Sequence, residues 1–378
     1  MFGNSWRLGR ILGVEVRIDT SWAVIALLVS YSLYVRYATV YPNLRTSGAI
    51  ALGVATAILF FGSVLTHELS HSLMARARNI PVKGITLFMF GGATLAKVES
   101  RGPWDEFIIS VVGPLTSFGL AAVFGVIGMF GQDALPEPIA GVFGYLGLVN
   151  LSLGVFNLLP GFPLDGGRVL RSAVWKATNS LSQATRVAAI GGQIVGYGMV
   201  ALGLFLLFDG AFAAGVWLGA IGWFLAQAAQ NSYQELQIRR FLQGVEADDV
   251  MVRNLLPIPA NISLQQAVDD YFMRHDHGAF PVQDGERTVG LLTLRAVKRV
   301  PREEWPIRRV AESMDPLGEQ LTVTPQTPMD RVLGKLQQEE AQRVLVVDDG
   351  DVIGIITPVD VARWLQRRRA IEADRTSS

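Results

Sequence analysis

Five consecutive residues, His67-Glu68-Leu69-Ser70-His71, could bind and use a metal ion in this 378-residue chain. On a helix, residues four apart lie on one face, so both imidazoles can reach a single ion. Glu68 then sits beside that ion, placed to take a proton from a bound water. Zinc suits such a site, because it lowers the pKa of its water to about 7 and polarises a carbonyl. The alternative is a pair of buried histidines satisfied by hydrogen bonds. It is the weaker reading, because the apolar run from Ala49 to Leu65 continues straight into Thr66-His67-Glu68. Ionisable groups at membrane depth are costly, and a functional role is their default interpretation.

A catalytic zinc usually takes three protein ligands and keeps a fourth position open. The chain has no cysteine and four histidines, and the other two, His275 and His277, fall in a charge-rich C-terminal region. A third ligand from the same domain is therefore a carboxylate. With Glu68 taken as base, most acids before Arg240, Asp105 and Glu106 among them, sit at span edges or in charged loops. Asp165 differs. It lies in the stretch from Asn157 to Gly167, where Pro160 and Pro163 break the helix and Gly166 and Gly167 follow. Broken backbone at membrane depth is tolerated only where protein or a cavity surrounds it, and a metal site can be built there. The competing use of Asp165 is as N-cap of a helix from about Gly166 to Thr178.

These residues need a scaffold, and composition says which kind. Half of the residues are hydrophobic, 17% are charged, and the net charge is zero. Up to Arg240 there are 16 cations and 11 anions; from Phe241 onward there are 17 and 22. The first region is too poor in charge for an ordinary soluble domain, and the second is normally soluble. A wholly soluble enzyme, a disordered protein and a nucleic-acid binder are excluded. Apolar windows place six transmembrane helices at roughly 20–38, 49–75, 105–130, 139–159, 184–208 and 211–230. Fourteen cations fall on one side of these spans and two, Arg36 and Arg45, on the other. The bias predicts both termini in the cytoplasm of a multi-pass plasma-membrane protein. The N-terminus lacks a signal-peptide layout, so the first span is expected to stay. The stretch 84–97 is too short and glycine-broken for a span but rich in β-formers. It predicts a membrane-associated hairpin or sheet, with a free edge that can pair with an unwound substrate or with a purely structural role.

After Arg240 an internal repeat appears. Phe280-Pro-Val282…Gly290-Leu-Leu-Thr293 aligns with Val344-Leu-Val346…Gly354-Ile-Ile-Thr357 at an offset of 64 residues. Each copy reads as strand, helix, strand, acidic turn, strand, helix, so the expected domains are 1–240 in the membrane and 241–378 as a soluble α/β module. The tripeptide Arg367-Arg368-Arg369 reads as a solvated run, or one near anionic lipid. Histidines His275 and His277 read as exposed loop residues, and Asp374 to Ser378 as a disordered tail.

With its H-E-x-x-H in a membrane helix and N-x-x-P-x-x-x-x-D-G from Asn157 to Gly166, the chain resembles the site-2 protease family of intramembrane zinc metalloproteases. The resemblance covers about residues 5–235. It implies Zn2+ held by His67, His71 and Asp165, Glu68 activating water, and Asn157 holding substrate or the developing oxyanion. Val112-Gly113-Pro114-Leu115-Thr116-Ser117 matches the family's glycine–proline motif, with serine where asparagine is frequent. No PDZ-like insertion fits between the spans. The repeat resembles a tandem pair of CBS domains at about 245–303 and 308–368. That resemblance implies a cleft for ATP, ADP or AMP, with Thr357 and Asp360 contacting ribose. In the first copy Thr293 has Ala296 where the aspartate would stand, so one good nucleotide site is expected. A purely dimerising module is the alternative. The expected function is cleavage of transmembrane protein substrates in the lipid bilayer, regulated through the CBS pair by nucleotide or as a homodimer, with no nucleic acid partner. The competing readings are a CBS-regulated transporter or channel and a catalytically inactive relative.

Overall fold

The computed structural model describes residues 5–89, 91–96, 101–131, 133–253, 255–275, 278–285, 287–316, 322–336, 343–349 and 351–376. The chain divides into two compact units, Met1–Leu236 and Gln237–Ser378.

In the first unit the chain begins with a hairpin, β1 (Ser5–Ile11) and β2 (Val14–Asp19), then enters α1 (Thr20–Val40) and α2 (Thr46–Ala77). Strands β3 (Val82–Phe88) and β4 (Gly91–Ala96) precede α3 (Pro103–Phe130) and α4 (Glu137–Asn157). The 14-residue α5 (Asp165–Thr178) is followed by α6 (Leu181–Phe208) and α7 (Phe212–Phe241). Among the described residues, all of these helices except α5 are long and apolar enough to cross a bilayer. Their ends are chemically marked. Asp19 caps α1 by accepting from the Ser21 N–H at 2.9 Å, Pro103 opens α3, and Ser180 caps α6. Asn179 closes α5 in the left-handed region (φ 52°). Helix α2, with 32 residues, is about 48 Å long against an apolar layer of about 30 Å. It therefore reaches beyond the apolar layer or crosses it tilted.

Small residues let α6 and α7 touch backbone to backbone. A Cβ at Gly203 would meet the Gly215 carbonyl at 2.7 Å, and one at Gly196 would meet the Gly222 carbonyl at 2.6 Å. The four strands form one sheet, ordered β1-β2-β3-β4, with β2 and β3 parallel and the other pairs antiparallel. Its buried apolar residues Val14, Val16, Ile85 and Leu87 alternate along the strands, and Val14, Ile85 and Leu87 pack on Leu69 of α2. The expected hairpin at 84–97 is thus the outer half of a larger sheet, with Lys97 outside the described residues. Strands β1 and β2 were not expected, because a short arginine-rich hairpin acquires its ladder partner only when β3 returns beside β2.

In the second unit each repeat builds a small sheet. The first holds β5 (Ile258–Pro259), β6 (Ala279–Asp284), β7 (Arg287–Thr293) and β8 (Asp315–Pro316). The second holds β9 (Thr322–Val323), β10 (Val344–Asp348) and β11 (Asp351–Ile356). Both copies carry a bulge at the same repeat position, after Val282 and after Val346. The segments preceding the copies exchange. Met314, ahead of the second copy, packs on Gly290 of β7, and Met251, ahead of the first, packs on Gly354 of β11. Ala279 and Leu291 meet Leu345 between the two sheets. Two expectations need correction. Arg368 is not simply solvated: it donates to the Phe241 carbonyl at 3.0 Å and stacks 5.1 Å from the Trp364 ring centroid. The helix Pro358–Thr376 takes in Asp374, Arg375 and Thr376, the first three residues of the expected disordered tail. Asp276, His277, Ser377 and Ser378 lie outside the described residues.

Candidate metal centre

Helix α2 presents His67 and His71 one turn apart, and α5 brings Asp165 to them across nearly a hundred residues of chain. Asp165 Oδ2 lies 3.1 Å from His67 Nε2 and 3.2 Å from His71 Nε2, and the two Nε2 atoms are 3.2 Å apart. These are the three ligand atoms among the described residues that cluster tightly enough for one ion. Asp165 is the first residue of α5, not its N-cap; that position is Leu164, with no side-chain cap. The carboxylate is therefore spent on the histidines rather than on the helix end.

The other ring nitrogens explain why the cluster wants a cation. His71 Nδ1–H donates to the Ile109 carbonyl at 2.6 Å, and a carbonyl only accepts, so His71 Nε2 keeps its lone pair for the cluster. His67 Nδ1 lies 2.9 Å from Ser117 Oγ, which sets the same orientation for the second ring. Two ring nitrogens and a carboxylate oxygen then converge, and the lone pair of neutral His71 Nε2 beside the Asp165 carboxylate favours positive charge among them. The residues fit zinc. Two nitrogens and one oxygen are a known catalytic donor set, and ligands at about 2.0–2.1 Å in a tetrahedron stand about 3.3–3.4 Å apart.

Two glycines make room for this geometry. A Cβ at Gly113 would fall on the His71 ring and 2.7 Å from His67 Nε2, so α3 approaches the cluster only because residue 113 has no side chain. A Cβ at Gly92 would strike the Glu68 side chain, 2.7 Å from Cδ, which places β4 directly beside that carboxylate. Among the described residues β4 pairs with β3 on one side only. Asn157 ends α4, and its amide donates to the Leu153 carbonyl at 3.0 Å, with no hydrogen bond joining it to the His67–His71–Asp165 cluster among those described.

The sequence reading passed over three contributors: the Ile109 carbonyl, Glu106 and Arg171. A carbonyl leaves no trace in residue type. Glu106 was set aside as a span-edge acid, yet it is almost fully buried against Arg171, which donates to it at 2.6 Å. The serine in the glycine–proline motif, which departs from the usual asparagine, does make the hydrogen bond to the histidine.

In the second unit, Thr357 and Asp360 hydrogen-bond each other. The Thr357 hydroxyl donates to Asp360 Oδ2 at 2.6 Å, and the Thr357 N–H donates to the same oxygen at 3.0 Å. Thr293 accepts from the Ala296 N–H at 2.9 Å and caps Leu294–Lys298. Without an acid at 296, that cap is half of the one at Thr357.

Comparison with known proteins agrees with both halves. Peptidase family M50 matches residues 55–141 and 123–202, and the CBS domain model matches 247–303 and 307–367. A Synechocystis homologue named as a zinc metalloprotease is 33% identical over 374 residues, covering 97% of each chain. One from Mycobacterium tuberculosis is 34% identical, covering 98% of this chain and 95% of its own. A solved site-2 protease from Methanocaldococcus jannaschii, 27% identical, aligns with 61% of this chain and 95% of its own at a TM-score of 0.43. The fold and site define a multi-pass membrane metalloprotease with an attached pair of CBS domains. The chain belongs to peptidase family M50, with the zinc metalloproteases it matches over nearly its whole length.

Proposed function

We propose that this chain hydrolyses peptide bonds within or near transmembrane segments of membrane-protein substrates. The observation that carries the reading is the mutual facing of His67, His71 and Asp165 within 3.2 Å beside membrane-spanning helices. These three would hold zinc, which when bound polarises a carbonyl and eases deprotonation of water. Glu68, against Gly92, is the acid–base group: it takes the proton of the attacking water and returns it to the leaving nitrogen. Asn157, at the end of α4, orients the substrate or donates to the developing oxyanion. A helical peptide bond is shielded by its own hydrogen bonds, so the substrate must unwind first. The one-sided pairing of β4 beside Glu68 supports its capture as an added strand.

The cation bias supports a plasma-membrane protein with residues 1–240 embedded, both termini cytoplasmic, and the target bond toward the cytoplasmic half. Residues 241–378 form the regulatory module. Thr357 and Asp360, at the start of a helix after β11, are its candidate ribose contacts for ATP, ADP or AMP, and the module is also the candidate homodimer contact.

The test is co-expression with candidate single-span proteins, comparing wild type with Glu68→Gln. Cleavage should fall by about 100-fold or more while zinc remains bound. Full activity in that variant sinks the assignment. Titrating full-length protein with ATP, ADP and AMP tests the module; no binding at millimolar concentration leaves dimerisation as its role.

A further inference from the structure

The acid that sequence reasoning discarded closes a ring around the metal cluster. Glu106 sits in the first turn of α3, where the helix dipole favours an anion. Its carboxylate receives the Arg171 guanidinium of α5 at 2.6 Å, with a second contact through another guanidinium nitrogen. The Arg171 guanidinium also stacks 5.1 Å from the centroid of Phe162, in the loop leading to Asp165. Three residues beyond Glu106, the Ile109 carbonyl holds His71, and six residues before Arg171 stands Asp165, which meets His71. The circuit therefore runs from His71 through α3 to Glu106, across to Arg171, along α5 to Asp165, and back to His71.

We infer that the Glu106–Arg171 pair positions Asp165 against the two histidines, and so sets zinc affinity without touching the metal. The inference rests on the proposed zinc site. The physical reason is leverage. Asp165 opens α5, and the loop before it is tied to α6, where the Phe162 N–H donates to the Ala188 carbonyl at 3.0 Å; the Glu106–Arg171 pair ties the same helix to α3, the helix that holds His71. A planar guanidinium held by a buried carboxylate on one side and a ring on the other fixes both the distance and the rotation of α5 against α3. Lysine would keep the charge but lose the fork and the stacking. A pair this buried is weak evidence for stability, because desolvating both charges offsets much of their attraction. Its use is therefore sought in geometry.

The experiment measures zinc affinity of the full-length protein in detergent by competition with a chromophoric chelator. Variants are the doubly neutral Glu106→Gln/Arg171→Gln, which leaves no unpaired buried charge, Arg171→Lys, and Arg168→Gln as a control for losing a cation on α5. Zinc binding by wild type is checked first, so failure of the site itself is seen separately. The expected result is affinity weakened about 10- to 100-fold in the double variant, intermediate in Arg171→Lys and unchanged in Arg168→Gln, with wild-type helical content throughout. Affinity within about twofold of wild type in the double variant overturns the inference, as does equal weakening by Arg168→Gln. If the double variant does not fold, Arg171→Lys decides alone: unchanged affinity overturns the proposal, and weakened affinity supports it.

Discussion

The metal cluster and the Thr357–Asp360 pair are both small groups of polar side chains legible as motifs, yet they are built in opposite ways. His67 and Asp165 are 98 residues apart and meet only because α2, α3 and α5 pack together. Thr357 and Asp360 are three residues apart and bond each other at the start of one helix. The first arrangement serves no local backbone: two ring nitrogens and a carboxylate oxygen converge where a cation fits. The second already satisfies a helix end. Chemical function is therefore read more securely from side chains that tertiary structure brings together than from a motif that also completes a helix cap.

That contrast can be broken, most forcefully at Gly113. Gly113→Ala should put a methyl group into both histidine rings, and overpacking of about 1–3 kcal/mol corresponds to zinc affinity about 5- to 150-fold weaker, read by metal analysis after dialysis against chelator. Retained zinc at wild-type affinity would mean α3 can withdraw, and the cluster is less constrained than its geometry. Ser117→Ala should act more gently. It removes the partner of His67 Nδ1 and should weaken zinc about tenfold or somewhat more, with Ser117→Asn restoring affinity because its amide can accept from or donate to the same nitrogen.

In the second unit, Asp360→Ala should leave zinc and cleavage chemistry untouched and cost about 0.5–2 kcal/mol of module stability, seen as earlier thermal unfolding of that unit. A change in zinc affinity would contradict the local role of the pair. The smallest effect concerns pH. Two hydrogen bonds from Ser21, hydroxyl first and then backbone N–H, hold Asp19 below the ordinary aspartate value, and Arg17 holds Glu15 low in the same way. A lowered folded value means that each stabilises the fold fully above the ordinary carboxylate range. The benefit is lost as pH falls through the lowered value. The difference in unfolding temperature between wild type and Asp19→Asn should therefore shrink below about pH 4; a difference that grows on acidification would reverse the sign.

Much of this protein is legible in one dimension. The six spans follow from apolar run length, which depends on composition alone. The His67–His71 face follows from helical periodicity, and the paired module from its repeat. Asp165 stood out by elimination, because a carboxylate between prolines and glycines has few structural uses in a membrane. Strands β1 and β2 were not legible, because Arg7, Arg10 and Arg17 look like a charged flank until β3 pairs with β2. The roles of Glu106, Arg171 and the Ile109 carbonyl were equally hidden.

By itself, then, the sequence determined the six apolar spans, the one-turn spacing of His67 and His71, and the repeat after the membrane region, since hydrophobic length, periodicity and repetition are local properties of the chain. Only the tertiary structure decided how closely Asp165 approaches the histidines, which groups hold the far side of each ring, and which glycines admit α3 and β4 to the site. Those depend on distances between helices far apart in sequence, set by close packing at positions such as Gly113, where one added carbon would keep α3 away from the histidines.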